Sequence, residues 1–304
     1  MKTKSARSYA PLSIGAALLA MALKFGAYFL TGSVGLFADA AESPVNLITA
    51  LVVLWAVTFA ARPPDAEHTY GHSKAEYFAS GLEGALILVA AVGIAIEALP
   101  HLFHPKPLDQ LGIGILLSLV ATAINGSVGV VLLRAGRELR SITLRADAQH
   151  LFTDVWTSVG ILFAILLVKL TGWLILDPVI ALIVSANILW AGVQLLSETA
   201  AGLMDTALPI AQQQTIISIL ATYEQQGIQY HALRSRVAGS RQFVSFHVLV
   251  PGEWTVQRGH DLSEEIELAI AKALPGTHVT THLEPLEDSA SWADQGLERK
   301  TDSE

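Results

Sequence analysis

The stretch "ADAAESPVN", Ala38–Asn46, decides how this chain is read. It sets two acids, a proline and an asparagine inside the run "SVGLFADAAESPVNLITALVVLWAV" (33–57), which is otherwise apolar and long enough to cross a lipid bilayer. A charged side chain at bilayer depth costs roughly 2.5–3.5 kcal/mol or more, so such residues face a protein interior or a watery cavity and mark ion or proton paths. A second stretch repeats the pattern: "ADAQHLFTD", Ala146–Asp154, opens the apolar run "VWTSVGILFAILLVKL". Both begin A-D-A, carry an ionisable residue four places after the first alanine (Glu42, His150), and a short polar residue four later (Asn46, Asp154).

The 304 residues are 52% hydrophobic and only 15% charged, the composition of a membrane protein with some soluble mass attached. Six segments reach the length of a spanning helix, near 10–30, 34–60, 78–100, 110–133, 147–170 and 173–196. The apolar part of the N-terminus is too long for a signal peptide, so it is expected to be an uncleaved first span. Lys2, Lys4 and Arg7 precede span one, Arg62 and Lys74 lie between spans two and three, and Arg134, Arg137, Arg140 and Arg145 lie between four and five. The other side carries only Lys106 and Lys169, so both termini are expected to be cytoplasmic. The expected organisation is a cytoplasmic N-terminus (1–9), a six-helix transmembrane domain (10–205), a cytoplasmic domain (206–288) and a disordered tail (289–304).

Formal net charge is −8, and thirteen acids against seven bases after residue 205 hold most of it. Phosphate binding needs a basic face, so a nucleic-acid partner is excluded. Cysteine is absent, which removes disulfides and thiolate metal sites; any metal chemistry must use His, Asp, Glu, Asn or backbone oxygen.

Residues four apart on a helix share a face. Glu42 and Asn46 therefore look one way from the second span, and His150 and Asp154 from the fifth. Side by side, the two helices offer three oxygen-bearing groups and one imidazole, a coordination shell of four for a divalent transition metal. Pro44 lacks an N–H and leaves the carbonyl of Ala40 without its usual partner. The alternative is that these groups are satisfied inside the bundle, with Lys24 as one partner, and only hold helices together. Asp39 and Asp147, one turn away, read as access groups or as supports for the ligands, and Glu83, Glu97 and Asn125 as packing or pore-lining residues. The loop "RPPDAEHTYGHSKAEY" (62–77) carries Asp65, His68 and His72, an acid and two histidines at metal-ligand density. His68 and His72 share a face if a helix begins near Ala66; the alternative is an exposed polar loop.

From Leu208 the pattern reads helix, strand ("YHALRSRVAG"), strand ("QFVSFHVLV"), helix ("GHDLSEEIELAIAKAL") and strand ("HVTTHLEPL"), with Gly239 and Ser240 turning the first two strands back on each other. An αββαβ order packs a small α+β sheet against helices.

"HTYGHSKAEY" followed by an acidic and apolar helix resembles the signature of the cation diffusion facilitator family. "SVGLFADAAES", "RADAQHLFTDVWTSVG", "WLILDPVIALIVSANIL" and "LLSETAAGLMDTALP" resemble the family's second, fifth and sixth spans and the junction that follows, so the likeness covers nearly the whole chain. The resemblance implies a six-span homodimer that exports divalent metal ions (Zn, Fe, Mn, Co or Cd) in exchange for protons, with a metallochaperone-like cytoplasmic domain. It places Glu42, Asn46, His150 and Asp154 on the transport site and Asp65, His68 and His72 on a loop site. It places His231, His247, His260, His282 and Glu284 on a cytoplasmic site with a structural ion, and Lys74 and Asp205 on an interlocking charge pair near the dimer interface. His278 matches no family position and reads as a surface histidine. Family members usually carry His or Asp at the position of Glu42 and Asp at that of Asn46, so the Glu-Asn pair departs from the pattern.

The expected function is metal:proton antiport across a bacterial inner (cytoplasmic) membrane, with the metal as substrate and no catalytic cofactor. A membrane-bound metal sensor working through the cytoplasmic histidines, and a passive channel, are the competing readings. An enzyme is not expected, since H-E-x-x-H is absent and the shell of four supplies no nucleophile.

Overall fold

The computed structural model describes residues 10–138, 142–293 and 295–297. The first nine residues and 298–304, on which the expected cytoplasmic N-terminus and most of the expected disordered tail fall, lie outside the described residues. Six long helices come first: α1 (Ala10–Thr31), α2 (Val34–Ala60), α3 (Ala75–Phe103), α4 (Leu111–Glu138), α5 (Ile142–Thr171) and α6 (Leu176–Leu203). All six are long and apolar enough to cross a membrane. Their bounds differ from the hydropathy reading most at α6, which runs on to Leu203, at α4, which runs on to Glu138, and at α5, which starts at Ile142, because helix continues into polar sequence that hydropathy does not score as span. The chain divides into two compact units, one from the chain up to Leu54 with Ala79–Leu196, the other from Trp55–Phe78 with the chain from Ser197.

In the first unit, α2 packs on both sides, with alanines among larger aliphatic residues. Val34 and Ala38 meet Ile94 and Ala98 of α3 and Ala181 of α6, while Leu36 meets Ala27 of α1 and Ile161 and Ile165 of α5. Small side chains let backbones approach where lipid removes any hydrophobic drive between helices. The start of α2 is fixed by Asp177 of α6, which accepts from the Ser33 hydroxyl (2.5 Å) and from the amides of Val34 (2.8 Å) and Gly35 (3.2 Å). The two amides are helix-start donors that have no partner inside α2. Pro44 is accommodated within an unbroken α2.

The centre of this unit is an ion pair. Lys24 Nζ of α1 donates to Asp39 Oδ1 of α2 at 2.7 Å, with the two side chains 2% and 1% exposed. Asp39 also accepts from Ser158 of α5 (2.7 Å) and Ser118 of α4 (3.4 Å), so one carboxylate ties four helices together. Lys24 is therefore paired with Asp39, and Asp39 is a buried fastening group between helices.

The second unit contains the loop and the soluble domain: α7 (Ile210–Glu224), β1 (Gln229–Ala238), β2 (Arg241–Val250), α8 (Val256–Ala273) and β3 (Thr277–Pro285). The sheet order is β1-β2-β3, with β1 antiparallel and β3 parallel to β2. Parallel pairing needs a crossover, which α8 supplies. Ile216 and Leu220 of α7 and Ile266 and Ile270 of α8 close over Val244, Phe246 and Val248 of β2. Gly239 turns β1 into β2 with φ +59°, and a Cβ there would stand 2.3 Å from the Ser73 carbonyl oxygen, so no other residue fits.

Two expectations need correction. The segment 66–74 is not the start of a helix; it is a series of turns, and α3 begins only at Ala75. Gly71 takes φ +86°, a left-handed conformation that breaks a helix there. Residues 289–292, expected in the disordered tail, form a 3-10 turn capped by Asp288, whose carboxylate accepts from the Ala290 amide at 2.9 Å.

Removing one partner of a buried pair leaves an uncompensated charge, whereas removing both need not. Lys24→Met and Asp39→Asn are each expected to destabilise the purified protein by roughly 3–5 kcal/mol. The double variant should melt close to wild type. Thermal unfolding in detergent checks this, and a double variant as unstable as the sum of the singles would contradict it.

Candidate metal sites

The cytoplasmic cluster follows from strand register. His231 pairs with His247 across β1 and β2, and His247 with His282 across β2 and β3, so three histidines form one row on one face of the sheet. Glu284 lies two residues beyond His282, on the same face. A register shift between His231 and Arg234, with Ala232 at φ +52°, bulges β1 beside the row. His231 Nε2 lies 3.0 Å from both His247 Nδ1 and Glu284 Oε2, and His247 Nδ1 lies 3.2 Å from the same oxygen. His282 Nε2 stands 3.6 Å from Glu284 Oε1 and is exposed. His260 is not brought into the row; it faces Glu264 one turn along α8. His278 stacks on Phe243, away from the cluster.

The donor set suits a divalent ion. Two ring nitrogens and a carboxylate oxygen crowd one another at 3.0–3.2 Å, and a single proton can satisfy one edge of such a triangle. A cation bonded at about 2.0–2.2 Å to each would satisfy all three at once.

In the loop, turns rather than a helix bring the ligands together. Asp65 Oδ1 accepts from the amides of His68 (2.7 Å) and Glu67 (3.0 Å), an Asx-type closure. Its two oxygens lie 3.3 Å from His68 Nδ1 and 3.2 Å from His72 Nε2. The His68 amide, with help from that of Glu67 and from His72, holds the Asp65 carboxyl below the usual carboxylate range, so it is an anionic ligand throughout neutral pH. His72 is buried edge-on against Phe59, and its Nδ1 has no hydrogen-bond partner among the described residues. Close by, Lys74 Nζ lies 2.9 Å from Asp205, which Arg236 also contacts at 3.2 Å. The Lys74 contact first, then Arg236, keeps the Asp205 carboxyl low.

The intramembrane group is looser. Asn46 Nδ2 of α2 donates to both oxygens of Asp154 of α5 at 3.2 and 3.3 Å, a direct link between the two repeated stretches. Glu42 is half-buried one turn along the Asn46 face, and His150 is exposed one turn from Asp154. Asp65, His68 and His72 form one group with ligand atoms all within 4.8 Å, and His231, His247 and Glu284 form another; Glu42, His150 and Asp154 do not. Asp147 accepts from Ser13 of α1 at 2.8 Å. Residue-by-residue reading missed the roles of Lys24 and Asp177. Lys24 reads from the sequence as a partner for the intramembrane group, but nothing in the spacing names Asp39.

Comparison with known proteins agrees with this architecture. The family model for the cation efflux transmembrane domain matches residues 11–204, and that for the cation efflux protein cytoplasmic domain matches 208–286. An uncharacterized transporter of Synechocystis sp. is 60% identical over 292 residues, 96% of this chain and 94% of that protein. The cation-efflux pump FieF of Klebsiella pneumoniae is 31% identical over 277 residues, 90% of this chain and 91% of that one. The metal-bound C-terminal domain of the CzcD transporter from Thermotoga maritima is 24% identical over 26% of this chain and 93% of that one, with a TM-score of 0.25. With one model spanning the helices and a second the domain after them, the chain belongs to the cation efflux, or cation diffusion facilitator, family: an integral membrane transporter of divalent metal cations and not an enzyme.

Proposed function

We propose that this transporter exports a divalent transition metal from the cytoplasm in exchange for protons, at a site between α2 and α5 formed by Glu42, Asn46, His150 and Asp154. The observation that carries the reading is the Asn46–Asp154 contact, which joins the two repeated stretches at bilayer depth. The Asn46 amide, which donates to Asp154, can turn over and offer its carbonyl oxygen to a cation. Binding requires neutral imidazole and ionised carboxylates, so metal displaces protons from these ligands, and protons returning from the other side displace metal. A loosely gathered shell suits a site that must release its cargo after the helices rock.

The loop group (Asp65, His68, His72) and the cytoplasmic group (His231, His247, Glu284, with His282 beside them) are read as further metal sites, and the ion of the cytoplasmic group as structural. His260 belongs there only if a partner subunit or a rearrangement of α8 completes the shell. The chain is read as a homodimer in the inner membrane with both termini cytoplasmic, and Lys74–Asp205 as a charge pair beside the dimer interface. A metal sensor is the second reading, favoured by the tighter convergence of the cytoplasmic group.

Sealed proteoliposomes separate these readings. Wild-type protein is expected to move zinc inward while protons leave; a sensor gives no flux, and a channel gives flux without proton movement. Asp154→Ala should abolish flux while leaving a folded dimer. Wild-type flux from the folded variant would contradict the site.

The Glu42–Asn46 pair makes the shell oxygen-rich and carries one negative charge fewer than two acids would. Carboxylate, amide and a single imidazole accept manganese and ferrous iron as well as zinc, although the general affinity order still favours zinc. Glu42→His with Asn46→Asp raises the nitrogen share while keeping one acid in the pair. The zinc-to-manganese ratio of transport rates at fixed pH should therefore rise; an unchanged ratio would mean that these positions do not set selectivity.

A further inference from the structure

Beyond residue 286, where the family match ends, the chain folds back over the histidine face of the sheet. The Leu286 amide donates to the Val250 carbonyl at 2.9 Å, and the 3-10 turn Ser289–Trp292 follows. Ser291 donates to the Pro285 carbonyl (2.8 Å) and Trp292 Nε1 to that of Leu286 (3.1 Å). Further on, the guanidinium of Arg234 donates to the carbonyl of Gly296. The segment leaves from β3 yet reaches His231 and Arg234 on β1, at the other edge of a β1-β2-β3 sheet. Arg234 pairs with Ser245, two residues from His247 on β2, so it shares the face of the histidine row. The segment is therefore a strap across that face.

Trp292 is the strap's contact with the cluster. Its ring stands edge-on to the His231 ring, with centroids 5.5 Å apart and planes at 81°. The side chain of His231 is 9% exposed, whereas that of His282, at the β3 end of the row, is 67% exposed. Packing that fixes a ligand's ring and keeps water from it tunes both affinity and exchange.

We propose that Trp292 is a positioning residue for the cytoplasmic cluster: it fixes the His231 imidazole so that Nε2 faces His247 and Glu284, and the strap that carries it slows metal exchange there. The proposal rests on the reading of His231, His247 and Glu284 as a metal site. It assigns a role to residues outside the matched domain, and makes the cytoplasmic site slow to equilibrate while the transport site turns over.

The test uses the full chain in detergent with zinc as the probe. The cluster's zinc is the fraction lost in His231→Ala/His247→Ala. From that fraction, Trp292→Ala is expected to release zinc to excess chelator about 10- to 100-fold faster than wild type. Trp292→Phe keeps an aromatic edge on His231 and should release it near the wild-type rate. The zinc-dependent change in tryptophan emission should be present in wild type and absent in Trp292→Phe. An unchanged release rate in Trp292→Ala, or an emission change that persists in Trp292→Phe, overturns the positioning role while leaving the metal site standing. Equal zinc binding by wild type and His231→Ala/His247→Ala overturns the metal site, and the strap's role with it.

Discussion

A lysine and an aspartate held out of water, Lys24 and Asp39, set the register of the membrane unit. Neither is tolerable alone at bilayer depth, so α1 and α2 stay together once both are folded in. Because Ser158 and Ser118 hydrogen-bond to the same carboxylate, α5 and α4 are drawn onto the same point. Asp39 lies three residues before Glu42 and Ser158 four after Asp154, so this fastening brackets one end of the group formed by Glu42, Asn46, His150 and Asp154. Asp177 fixes the beginning of α2 from a fourth direction. Pro44 removes the backbone hydrogen bond to the Ala40 carbonyl between this fastening and Asn46.

Three groups of ligand-type side chains differ in how they are built. The cytoplasmic one stands on three adjacent strands, where the ladder fixes the spacing. The loop one is closed by the hydrogen bonds of Asp65 to its own backbone. The intramembrane one is spread over two helices and linked by a single amide-to-carboxylate contact. Rigid platforms suit ions that stay, and adjustable helix pairs suit an ion that passes. That correspondence, more than the residue types, supports transport between α2 and α5.

The spans and the αββαβ order were legible because both rest on local periodicity: apolar runs of membrane length, and alternation in "FVSFHVLV". The shared face of His231, His247 and His282 was not, since spacing along the chain carries no register across strands, and the bulge at Ala232 shifts β1 by a residue. The grouping of Asp65, His68 and His72 was legible as density along the loop, but the turn at Gly71 replaced the helix that i, i+4 spacing suggested. Lys24 read as a partner for the group around Glu42 and Asp154, and only packing selects Asp39. The polar composition after Glu287 read as disorder because it hides one tryptophan whose ring has a partner on a distant strand.

In the proposed mechanism, metal and protons compete for one set of side chains between α2 and α5. Calorimetric titration of zinc into the purified protein, repeated in buffers of different ionisation enthalpy, counts the protons released as metal binds. Proton release that disappears from the intramembrane phase in Asp154→Ala is expected. Metal binding at that site with no proton release at any pH would contradict exchange.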